Sequence, residues 1–163
     1  RESLKESDRA MRNLLSTSPQ PKSQNKVPRT AMNREAGLWN LLREGLKNTK
    51  TRKIETTRLE SWATPGVPDV MLCAENGAFC FLELKVVKHK KINLSPHQCA
   101  WLSRHFHANS WIITRDSNFI ISCFRGADVV ELRMGGLSAV EPVAIFAEPY
   151  DFEEFFGLIC PLD

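Results

Sequence analysis

Two carboxylates and one ammonium group carry the most chemistry in this chain. Asp69 follows Pro68 at the head of an apolar run, Val70 to Cys73, and Glu83 and Lys85 close a second run, Phe79 to Val86. Thirteen residues separate Asp69 from Glu83. Between the runs lies Glu75-Asn76-Gly77, whose last two residues both tolerate positive φ and suit a tight hairpin turn. Folding back there brings Asp69 close to Glu83. Side chains alternate along a strand, so Phe79, Phe81, Glu83 and Lys85 point one way and Cys80, Leu82, Leu84 and Val86 the other. A carboxylate and an ammonium buried without partners would be costly. Two carboxylates held together repel unless a cation lies between them, and oxygen ligands suit a hard divalent ion such as Mg²⁺ or Mn²⁺.

Gly66-Val67-Pro68-Asp69, followed after thirteen residues by Glu83-Leu84-Lys85, resembles the core of the PD-(D/E)xK nuclease superfamily. The branches it is most similar to are the VRR-Nuc and Holliday-junction-resolvase types, often found in phages. The resemblance spans about residues 31 to 115. The Glu-x-Lys tripeptide alone is weak. The Gly-x-Pro-Asp turn, the hairpin spacing and the downstream Leu94-Ser95-Pro96-x-Gln98 together are more specific. The resemblance implies an α/β, restriction-endonuclease-like core, a central mixed sheet flanked by helices. It implies a Mg²⁺ (or Mn²⁺) site formed by Asp69, Glu83 and the backbone carbonyl of Leu84. Glu35, on the first helix, would complete that set directly or through water, and Gln98 would lie near the metal or the phosphate. Lys85 would position or deprotonate a water, or stabilise the phosphorane-like state. Nearby carboxylates raise a lysine's pKa, which favours positioning over base catalysis.

Several elements must hold these groups in place. Residues 31 to 48 read as a helix with Leu38, Trp39, Leu42 and Leu46 on one stripe and Glu35 at its middle. A first-turn Glu favoured by the helix dipole explains Glu35 as well as a site role does. Residues 53 to 62 alternate like a strand, with Arg58 and Glu60 on one face. Ser95 is a good N-cap, Pro96 a good first residue, and Gln98 completes a capping box for a helix to about His107. Gln98 also shares a stripe with Trp101, Leu102 and His105 that faces the sheet. Strands are expected over Ser110 to Thr114, Asn118 to Phe124 and Ala127 to Arg133, with turns at Asp116-Ser117-Asn118 and Arg125-Gly126. Residues 134 to 150 read as a loop, and Asp151 to Ile159 as a helix anchored by Phe152, Phe155 and Phe156.

Charge is unevenly spread. Residues 1 to 30 carry +4 and read as a basic tail or linker with room for one short helix, followed by residues 31 to 163 as the nuclease-like domain. Residues 34 to 91 hold eleven basic and seven acidic side chains, whereas residues 116 to 163 hold two and nine. An anionic partner would therefore meet the central part of the chain. Lys88, Lys90 and Lys91, directly after the Glu83 strand, and Arg58 are the candidate DNA contacts. A solvated loop is the plainer explanation of a charge run, and position beside the site favours DNA. Five cysteines without a Cys-x-x-Cys pair suggest buried free thiols and a reducing compartment: the cytoplasm, or the host's if the protein is phage-encoded. No apolar run approaches a membrane span, so no membrane partner is expected.

The expectation is a metal-dependent endonuclease acting on branched or junction DNA, as a homodimer if it is a resolvase. The alternative is a non-catalytic nucleic-acid-binding module that retains the fold.

Overall fold

The structure, a computed structural model, describes residues 35–59 and 64–162. The basic segment 1–30, the expected first turn at 31–34, and Glu60 lie outside them. Six strands form one sheet in sequence order: β1 (Ile54–Arg58), β2 (Val70–Ala74), β3 (Phe79–Val86), β4 (Ser110–Arg115), β5 (Ile121–Arg125) and β6 (Ala144–Phe146). Among the described residues only β3 and β4 run parallel; every other neighbouring pair is antiparallel. The parallel pair needs a crossover, and helix α2 (Pro96–Arg104) supplies it. The expected mixed sheet flanked by helices is therefore the observed α/β architecture.

Period-2 alternation sorts the sheet into two cores. Helix α1 (Glu35–Lys47) lays Leu38 and Leu42 on one face, beside Phe155, Phe156 and Ile159 of α4 (Phe152–Ile159) and Leu72, Leu82 and Leu84 of the sheet. The other face packs Leu102 of α2 against Ile112, Phe124 and Leu132. Leu82 and Leu84 serve the first core, so their neighbours Glu83 and Lys85 face the α2 side. Both helices are capped by their own sequence. Ser95 accepts from the Gln98 N–H, and Asp151 accepts from the Glu154 N–H.

Four expectations need correction. The β2–β3 turn has left-handed φ at Gly77 (+82°) but not at Asn76. The Gly77 N–H donates to the Ala74 carbonyl, and the Asn76 side chain accepts from the Ala78 N–H, so the connection is a three-residue loop with glycine last. Ala127 to Arg133 is not a strand. A 3₁₀ turn (Gly126–Asp128) leads into α3 (Val129–Gly135), which buries Val129 and Leu132 and exposes Val130 and Met134. That three-residue spacing is helical, and β-branched residues alone misdirected the reading. The strand expected from Asn118 begins only at Ile121, because the Asp116 carboxylate accepts from the N–H groups of both Asn118 and Ile120 and prolongs the turn. Within the expected 134–150 loop, Ala144–Phe146 adds an edge strand to β5.

Candidate active site

The β2–β3 register pairs Val70 with Leu82, and one step further sets Asp69 opposite Glu83. The Asp69 carbonyl accepts from Leu59, which ties the turn to β1, while its carboxylate accepts from the Leu84 N–H at 2.8 Å. Along β3, the Phe81 and Val87 N–H groups donate toward the β4 side, to Asn109 and Arg115. Leu84 is odd-even out of step with them, so its N–H and its carbonyl both face the Asp69 side. Beyond the end of β2, that carbonyl borders the same space as the Asp69 carboxylate.

Glu83 is fully buried, and Lys85 is 7% exposed. One Glu83 oxygen, Oε1, accepts from Lys85 Nζ at 2.9 Å and from Gln98 Nε2 at 2.5 Å. The other, Oε2, is buried and has no hydrogen-bond partner among the described residues. Burial first, and then the charge of Asp69, push the Glu83 carboxyl up to about 7, against the opposing pull of Lys85. Burial pulls the Lys85 ammonium down, but Glu83, Glu35 and Asp69 together outweigh it, and its pKa rises. Lys85 is thus a permanent cation at neutral pH.

Glu35 stands at the first turn of α1, in the opposite layer, with its Oε1 3.4 Å from Lys85 Nζ. It meets the lysine. Among the described residues no cluster of three His, Cys, Asp or Glu side chains forms a metal site. The donor set that remains is two carboxylates and the Leu84 carbonyl. That set fits Mg²⁺, which binds through one or two carboxylates and keeps several waters. The unpartnered Glu83 oxygen is a ready acceptor for such an ion.

Gln98 uses the two ends of one amide for two contacts. Its Oε1 accepts from the Ser95 N–H at 2.9 Å, closing the capping box, while Nε2 reaches Glu83. Gly66 makes this approach possible. Its φ is +91°, and a Cβ there would lie 2.2 Å from the His97 carbonyl oxygen and 2.9 Å from the Gln98 nitrogen.

Arg58 ends β1 opposite Val70, at the same end of the sheet as Asp69. Lys88, Lys90 and Lys91 are exposed just beyond β3 on a tight turn, closed by a bridge between Lys88 and Lys91. Both central residues of the turn, His89 and Lys90, have positive φ (52° and 61°). Sequence reasoning missed a row that crosses the sheet on the face carrying Glu83: Lys85 pairs with Thr114, and Thr114 with Ser122. Neither hydroxyl residue type signals its place, which only the register reveals.

No family model matches the chain, and neither does any curated protein. Among solved structures it is similar to a Holliday junction resolvase from an archaeal hyperthermophile, Hjc of Archaeoglobus fulgidus, with a TM-score of 0.43 and 16% identity over 77% of this chain and 97% of that one.

Proposed function

We propose that this protein is a metal-dependent endonuclease that hydrolyses phosphodiester bonds in branched DNA. One observation carries the reading: a fully buried glutamate opposite an aspartate, with one oxygen held by Lys85 and Gln98 and the other left bare. An unsatisfied buried acceptor costs about 1–3 kcal/mol, a cost that a bound cation at that oxygen would remove.

Asp69, Glu83 and the Leu84 carbonyl would hold Mg²⁺ or Mn²⁺, with Glu35 joining through water. A divalent ion there supplies charge neutralisation at the phosphate and a more acidic attacking water. The chain's own groups do the rest. Gln98 fixes the Glu83 carboxylate by donating to one oxygen, which leaves the other free. Lys85, charged and anchored between Glu83 and Glu35, offers its remaining N–H to a phosphoryl oxygen and stabilises the charge that builds there. It does not serve as the base, because its neighbours keep its proton on. Lys88, Lys90, Lys91 and Arg58 take the flanking phosphates.

Substrate is tested on a labelled panel of linear duplex, single strand, flap and four-way junction, each with Mg²⁺, Mn²⁺ or EDTA. Paired symmetric nicks on the junction, from a protein that elutes as a dimer, make it a resolvase. Flap cleavage by a monomer makes it a VRR-Nuc-like enzyme, the type often carried by phages. Tight salt-sensitive binding with no metal-dependent cut would replace the nuclease reading with a binding module.

A further inference from the structure

A cavity of about 590 Å³ opens beside the catalytic site. Its floor includes Ser122 and Phe124, on the face of the sheet that carries Glu83 and Lys85. Ser122 stands two strands from Lys85 along the Lys85–Thr114–Ser122 row. Two strand spacings amount to about 10 Å, within reach of a nucleotide joined to a phosphate at Lys85. Asn118 lines one side of the cavity and Leu137 another, and His89 and Lys90 of the basic turn also line it.

The backbone around this cavity is unusual. Among the described residues, three non-glycine residues have positive φ: His89, Lys90 and Phe119. The first two line the cavity, and the third directly follows Asn118 in its wall. Each such residue is held against its own preference by its surroundings. The Lys90 carbonyl accepts from the Leu137 N–H at 3.0 Å, and the Asp116 carboxylate fixes the Asn118 turn. Both walls are therefore pinned. The lining suits a flat ring with apolar faces and polar edges: Leu137 and Pro142 are apolar and partly exposed, while Asn118 and Ser122 offer an amide and a hydroxyl. The Lys90 ammonium adds a charge for the backbone that leads in. A cavity of this size lies within the range of small-ligand sites and has room for a single base.

We propose that this cavity seats one unpaired nucleobase of the strand being cut, close to the scissile phosphate. The inference rests on the nuclease reading and sharpens its substrate class to DNA with an unpaired nucleotide beside the cut. Drawing a base out of a stacked duplex is costly, and least so where the base is already unpaired. Forks, flaps and bulges are thereby preferred over plain duplex.

The test begins without cleavage. Forked DNA with a normal or an abasic nucleotide at the unpaired position next to the branch is titrated with the full chain in EDTA. The intact fork should bind about tenfold tighter than the abasic fork. Asn118→Trp, on an exposed turn, and Ser138→Trp, entering from another wall, should each bring that ratio close to one. Equal binding of the two forks by the unsubstituted protein overturns the proposal, as does a ratio that survives both tryptophans. Mg²⁺ is then added. Cutting that ignores the missing base removes the cavity and leaves the nuclease. Base-dependent binding without any cutting removes the nuclease and leaves the cavity.

Discussion

Glu83 sits in the core with one oxygen held and one bare, and its protonation follows from that setting. Burial and the charge of Asp69 push its carboxyl up to about 7 from the ordinary 4.5. Between those values the folded chain keeps a proton that the unfolded chain has released. The metal-free protein therefore loses stability as pH rises through this window, by on the order of a few kcal/mol, and levels off above it. Denaturant midpoints in EDTA should be higher near pH 5 than near pH 8, and Glu83→Gln should flatten the difference. A divalent ion requires the anion, so Mg²⁺ should bind more tightly at the higher pH and release protons in between. Calorimetry in two buffers of different ionisation enthalpy counts those protons. Lys85 works in the opposite sense. Lys85→Met leaves the buried carboxylate facing Asp69 without its cation. That carboxyl should then hold its proton to higher pH, which shifts the loss of stability in EDTA to a more alkaline range. Cleavage should fall by at least ~100-fold, with no new basic limb in its pH profile.

The β2–β3 hairpin and the N-terminus of α2 meet at Gly66, and that contact sets Gln98 on Glu83. Gly66→Ala would drive a methyl into the His97 carbonyl at a left-handed backbone position. It should lower both the thermal midpoint and the cleavage rate, whereas Ser95→Ala should cost only about 0.5–2 kcal/mol for the lost cap. Thermal melts beside cleavage assays separate the two effects. The hairpin, the capping box and the alternation in β3 were legible in the sequence, because each is a local pattern with local causes. The role of α3 was not. Val129 and Val130 suggested a strand, and only packing of Val129 and Leu132 against Leu102 and Phe124 decides for a helix. The short edge strand β6 was hidden for a similar reason. Three residues hold too little pattern, and their pairing with β5 is a tertiary fact.

Across the molecule, Arg58, Lys88, Lys90 and Lys91 lie at the end of the sheet where the carboxylates lie. The acidic C-terminal part is used in part to bind the chain to itself. Glu153, at the first turn of α4, accepts from the Lys50 N–H and from Thr51, and lies 3.7 Å from Arg52. Replacing Lys88, Lys90 and Lys91 with Ala should weaken DNA binding equally for all sequences. The slope of log affinity against log salt should shrink by about 0.9 for each phosphate contact removed. The asymmetry of charge was readable from composition. The cavity beside the site was not, since it depends on which residues of distant segments come to border one space.

The central claim is that Asp69 and Glu83 form a divalent-metal site that cuts DNA. The measurement closest to it is Mg²⁺-dependent cleavage of a forked substrate by the unsubstituted chain and by Asp69→Ala and Glu83→Ala, with DNA affinity measured alongside in EDTA. Both substitutions should abolish cutting while affinity stays within a few-fold. Cutting that persists in Asp69→Ala, or that continues in EDTA, would contradict it.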